Sequence, residues 1–140
     1  MSEKIFFDTN ILLYLYSVDE PDKQAASQRA VCACSHPTVS TQILNELANT
    51  LSRKMRMEWN TVDAVLQEID RAFQVEPVTV PVIRKACSIA ERYRYSYYDS
   101  AVLASALLCG AARLISEDMQ HGQLIELMLR NGRNYSILEA

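Results

Sequence analysis

Ile5-Phe6-Phe7-Asp8-Thr9-Asn10-Ile11-Leu12-Leu13-Tyr14 is the stretch on which the reading of this chain turns. Three apolar residues lead into an acid. Two small polar residues follow, and then a second apolar run. A short apolar run that stops at polar residues reads as a strand buried on both faces, as in a parallel sheet. Ile11 to Tyr16 is too apolar for an exposed loop and begins a short helix. Asp8 therefore sits where a buried strand ends, and an acid there is costly unless something compensates it.

Three further acids lie in comparable settings. Glu46 falls close to the apolar stripe Ile43, Leu44, Leu47 and Leu51. Asp99 stands in Tyr97-Tyr98-Asp99-Ser100 at the start of another apolar helix. Asp118 follows Leu114-Ile115-Ser116-Glu117. No lysines or arginines are equally placed to pair with them. A shared divalent cation with oxygen ligands is the cheapest compensation, and magnesium or manganese is the expected ion.

The remaining elements follow from periodicity and punctuation. Pro21 suits the first turn of a helix that runs to about Cys34. Val39 marks a short strand, after which Ser40 or Thr41 caps the helix carrying Glu46. A helix is predicted over Thr61 to Phe73, a strand over Val75 to Val78, and a helix from Pro81. Ser96 and Asp99 have capping-box spacing, and Gly110 ends that helix. Arg113 to Ser116 reads as a strand, Gln123 to Leu129 as one more short helix, and Tyr135 to Leu138 as a last strand. Helices interleaved with short apolar strands predict an α/β fold, three-layered α/β/α, with a mostly parallel central sheet.

Length and composition fit one domain over residues 1–140, with one core. The formal charge of -3 argues mainly against a sequence-reading DNA binder that grips by bulk charge. The four cysteines, Cys32, Cys34, Cys87 and Cys109, are not spaced for zinc, and His36 and His121 do not complete such a site. They read as small buried hydrophobes in a reducing compartment. No signal peptide or membrane span is evident, so the expected location is cytoplasmic and off the membrane.

In an open parallel sheet, ligands bind beyond the carboxyl ends of the strands. Asp8 and Asp118 follow strands, while Asp99 and Glu46 lie near helix N-termini, which belong to the same edge. The four acids can thus converge. A bare cluster would raise at least one carboxyl pKa, and a divalent cation would remove that strain, activate water and neutralise charge on a scissile phosphate. Thr9, Asn10 and Ser116 are expected to support the carboxylates by hydrogen bonds, and Asn10 also to contact a phosphate. Glu117 is an extra candidate ligand ranked below Asp118, because adjacent residues rarely point the same way.

These residues resemble a known family. Phe7-Asp8-Thr9-Asn10, Glu46, Tyr98-Asp99-Ser100 and Ser116-Glu117-Asp118 look like the ordered acidic motifs of PIN-domain ribonucleases, especially the VapC-type toxins of bacterial and archaeal toxin–antitoxin pairs. That resemblance implies a magnesium- or manganese-dependent endoribonuclease acting on single-stranded or structured RNA. Asp8, Glu46, Asp99 and Asp118 would form its acidic site, supported by Thr9, Asn10 and Ser116. It also implies a homodimer and a protein antitoxin reaching the acidic cleft. Met119-Gln120-His121-Gly122 stands where family members often carry an aromatic residue soon after the last acid.

Other surfaces stay open to more than one reading. Arg53, Lys54 and Arg56, or Arg92 and Arg94, either grip an RNA backbone or are solvated helix ends. Tyr93, Tyr95, Tyr97 and Tyr98 suit base stacking, helix packing or a dimer interface. His121 is either a general acid or a structural residue. Two other functions compete with cleavage: a phosphoacceptor signalling domain, which would want a paired acid at the first strand and a lysine, and a non-catalytic scaffold of the same fold.

Overall fold

β1 (Lys4–Phe7) lies inside a six-stranded sheet, with β2 (His36–Ser40) on one side and β4 (Arg113–Asp118) on the other. The computed structural model describes residues 3–118, 123–130 and 134–139, and for Asp118 and the two later segments it describes the backbone. The sheet order is β3-β2-β1-β4-β5-β6, where β3 is Gln74–Glu76, β5 Gln123–Arg130 and β6 Asn134–Glu139. β1 runs parallel to both neighbours, with Phe6 opposite Thr38 and Leu114, and β2 runs parallel to β3. The helices α1 (Thr9–Leu15), α2 (Pro21–Cys32), α3 (Thr41–Arg53), α4 (Trp59–Ala72), α5 (Val80–Tyr93) and α6 (Tyr97–Leu108) flank this sheet in the expected layered α/β arrangement. Among the described residues no helix is long and apolar enough to cross a membrane.

Burial follows the sequence pattern. Phe6, Phe7, Ile11 and Leu12 have no exposed surface, so the opening stretch is central to the core. On α3, Ile43, Leu47 and Leu51 recur every fourth residue and are equally buried. Each such side chain contributes about 1.5–3 kcal/mol through removal from water. Ser40 caps α3, its hydroxyl accepting the Ile43 N–H at 3.3 Å. Ser40→Ala should cost about 1 kcal/mol, seen as a lower urea midpoint at unchanged slope. Gly110 follows α6 with φ +77°, the left-handed conformation that ends helices.

Two expectations are corrected. Residues 123–129 are not a helix. They form β5, antiparallel to β4, with Leu127 opposite Leu114 and Ile125 opposite Ser116, and β6 extends the sheet in the same sense. Leu124, Ile125, Leu127, Met128 and Leu129 satisfy helical spacing as well as strand spacing, so periodicity does not separate them. The free edge of β4 decides, because its unpaired N–H and C=O groups need partners. The cysteines are also not a buried set. All four are free thiols, Cys32 and Cys87 are exposed, and Cys34 and Cys109 are half-buried. Cys32 and Cys87 sit on outward positions of α2 and α5, so apolar sequence neighbours did not imply burial.

Candidate metal centre

Asp8 stands at the carboxyl end of β1 and opens α1. Its N–H donates to the Ile115 carbonyl at 3.0 Å, which ties it to β4. Its Oδ1 accepts the Thr9 N–H at 2.7 Å, the N-cap bond of α1. Its Oδ2 accepts the Ser116 hydroxyl at 2.7 Å. Desolvation raises the Asp8 carboxyl pKa above the ordinary range; the Ser116 and Thr9 hydrogen bonds pull it down, and the negative charges of Glu46 and Asp99 push it further up. Asp8 thus feels both acids that the sequence places elsewhere in the chain.

Glu46 reaches this edge from α3. Its Oε2 accepts the Thr9 hydroxyl at 2.6 Å, so Thr9 links the two carboxylates through one residue. Its Oε1 accepts the Gln42 amide at 3.0 Å. Asp99 lies in the first turn of α6, where its N–H donates to the Ser96 hydroxyl at 3.2 Å and the helix N-terminus favours its charge. Asn10 is half-buried in the first turn of α1.

Convergence stops short of an assembled ligand set. Among the described residues, no group of three or more His, Cys, Asp or Glu side chains is close enough to hold a metal ion. Both Glu46 oxygens and both Asp8 oxygens already accept hydrogen bonds within the chain. The donor chemistry still fits one class of ion. Carboxylates and hydroxyls are hard oxygen donors, suited to magnesium or manganese. Asp118 is the last residue of β4; its side chain, and all of Met119 to Gly122 with His121, lie outside the described residues.

Glu117 is engaged elsewhere. Strand alternation puts it on the face opposite Ser116. Its Oε1 accepts the Tyr14 hydroxyl at 2.6 Å, and Lys23 Nζ lies 3.0 Å from its Oε2. Burial, and then the bond to Glu117, raise the Tyr14 pKa. This group ties α1 and α2 to the end of β4. Sequence reasoning missed it, and missed Gln42 as well. Gln42 carried a usable signal: it precedes Glu46 by one helical turn, where an amide and an acid meet on one face. Nothing in the sequence pairs Tyr14 or Lys23 with Glu117.

Ser116→Ala leaves Asp8 Oδ2 without its donor. If the chain cleaves RNA as the sequence resemblance implies, the rate should fall about 10–100-fold, as when other groups that orient a ligand are removed. Initial rates at saturating manganese would check this, and a wild-type rate would remove Ser116 from the site.

Residues 5–124 match the model of the PIN domain. The chain belongs to the PIN-domain family. No curated protein matches. Solved structures share the PIN fold. Over 83% of this chain and 91% of the other, it superposes on Mycobacterium tuberculosis VapC20, a sarcin–ricin loop cleaving toxin, with TM-score 0.69 and 21% identity. A toxin–antitoxin complex from Klebsiella pneumoniae matches with TM-score 0.63 and 21% identity, over 84% and 88% of the two chains. VapBC2 from Rickettsia felis, bound to a promoter DNA fragment, matches with TM-score 0.61 and 14% identity, over 83% and 88%.

Proposed function

We propose that this PIN domain is a magnesium- or manganese-dependent endoribonuclease that hydrolyses RNA phosphodiester bonds as the toxin of a toxin–antitoxin pair. Family membership supports a nuclease role in general. The observation that carries the finer reading is Asp8, a desolvated carboxylate at the end of the central strand that faces the charges of Glu46 and Asp99. Asp8, Glu46, Asp99 and Asp118 would hold the cation. When bound, such an ion lowers the pKa of a water and neutralises charge growing on the phosphate. The chain's own contribution is orientation. Ser116 and the Thr9 N–H fix the Asp8 carboxylate, while Gln42 and the Thr9 hydroxyl fix Glu46.

The Klebsiella and Rickettsia relatives are a toxin–antitoxin complex and a VapBC assembly, which supports a protein antitoxin as partner here. A homodimer belongs to the same proposal. Val80 and Leu108, large and more than half exposed, border one shallow depression that a second copy would cover.

The non-catalytic scaffold keeps one observation in its favour: both Glu46 oxygens are satisfied within the chain. Chelation separates the readings. The purified chain should cut RNA with manganese, stop in excess chelator, and resume when manganese is restored. A chain that never cuts, or cuts equally well in chelator, would contradict the proposal.

A further inference from the structure

The four tyrosines between residues 93 and 98 divide into two pairs with different surroundings. Tyr93 and Tyr95 stack on each other at 6.0 Å and pack against the core. Tyr97 and Tyr98 meet edge to face at 5.5 Å and remain 43% and 65% exposed. The exposed pair borders a groove of about 590 Å³ between α3 and α6. Gln42, Asn45 and Asn49 line its other side. Their spacing of three and four residues puts them on one face of α3. Glu46 lines the same groove, and Gln42 Nε2 lies 3.4 Å from the Tyr98 carbonyl as well as holding Glu46. The groove is therefore continuous with the acidic site.

Its chemistry selects among ligands. Among the described residues no lysine or arginine lines it, so it is not built for phosphate. Exposed tyrosine faces stack nucleobases, and carboxamides offer a donor and an acceptor to base edges. Base faces and edges are available in unpaired RNA, whereas an A-form duplex hides them in its stack and its deep groove. We propose that the groove between α3 and α6 takes unpaired bases of the RNA beside the cleavage point, stacked on Tyr97 and Tyr98 and read by Asn45 and Asn49. The inference rests on the nuclease reading and adds a base-binding subsite beside its acids, together with the residues that set base preference.

The test uses the full chain, Tyr98→Ala, and the double variant Asn45→Ala with Asn49→Ala. All three positions are exposed, so the fold does not depend on them. Fluorescence anisotropy in chelator would follow labelled decamers of differing base composition and a duplex of the same length. Cut positions would be mapped in manganese. Tyr98→Ala should weaken unpaired RNA about tenfold, the order expected for one stacked base. The double variant should flatten the wild type's preference among decamers. Duplex binding should not change in either.

Wild-type affinity and cut pattern in both variants would overturn the inference and leave the nuclease reading standing. So would a wild type that binds duplex as well as unpaired RNA. Variants that lose only a dimer or an antitoxin, with RNA unaffected, would assign the groove to a protein partner and overturn it too. A wild type that cuts nothing but binds unpaired RNA through Tyr98 and the two asparagines would sink the nuclease reading instead and uphold the base-binding groove.

Discussion

Asp8→Asn is expected to abolish the proposed cleavage and, without metal, to raise the melting temperature of the chain at neutral pH. Both effects come from the same buried carboxylate. Removing its charge would take away a ligand of the proposed cation, and the loss should exceed the roughly 100-fold ceiling typical of residues that only orient one. The stability effect has the opposite sign. Burial, with the charges of Glu46 and Asp99, raises the Asp8 pKa in the folded chain. The folded state therefore holds this proton more tightly than the unfolded state. Its contribution is fully present below the unfolded carboxyl value of ~3.9 and is lost as pH rises through the raised folded value. Above that value the wild type carries an unfavourable buried charge that asparagine lacks.

Asparagine also keeps the local structure. It is a good N-cap, so the bond from the Thr9 N–H to Oδ1 survives. The Ser116 hydroxyl can turn to accept from the new amide. Thermal melts in chelator from neutral to acidic pH should show the variant above the wild type, with the gap closing toward the ordinary carboxyl range. An Asp8 without a raised folded pKa would show no such gap, and an Asp8 that only caps α1 would leave cleavage intact.

Phe7→Ala should cost about 3–5 kcal/mol of folding stability. Phe7 is fully buried on β1 and meets the Phe73 ring edge-on, with centroids 6.0 Å apart and planes at 90°. That contact adds about 0.5–1.5 kcal/mol beyond area burial. A domain of ordinary stability has about 5–15 kcal/mol in total, so the variant loses a large share of it. Phe7 pairs with Ile115 in the β1–β4 register, one residue before Asp8 and Ser116 respectively. A loosened Phe7 therefore reaches the site through the backbone, and activity should fall at temperatures where the fold survives. Urea unfolding would measure the first effect. A cost under about 1 kcal/mol would place Phe7 outside the core and contradict the strand reading.

The opening stretch was legible because two independent signals agreed. Apolar Ile5 to Phe7 asked for a buried strand, and apolar Ile11 to Tyr16 asked for a helix soon after it. The Ser40 and Ser96 caps, the α3 stripe and Gly110 were legible for the same reason: local chemistry and global packing favour one answer. β5 was not legible, since its apolar residues satisfy two periods and the deciding partner, the edge of β4, is not local. The exposed cysteines were misread because neighbours in sequence are not neighbours on a helix face. At the site, strand ends and helix starts pointed Asp8, Glu46 and Asp99 toward one edge; Asp8 feels the other two charges, but no assembled ligand set forms among the described residues. The hydrogen bonds through Thr9 and Gln42 that hold Glu46 depend on side-chain directions that spacing alone does not specify. Tyr14 and Lys23 compensate Glu117 through tertiary contacts, which explains an acid that otherwise looked like a spare ligand.

Calorimetric titration of manganese into the wild type, Asp8→Asn and Asp99→Asn, with folding checked in each, tests the central claim most directly. Saturable binding in the wild type that disappears in both single variants is the expected result, because two acids 91 positions apart would be serving one ion. Binding that survives both substitutions at wild-type strength would mean that these carboxylates do not share a cation.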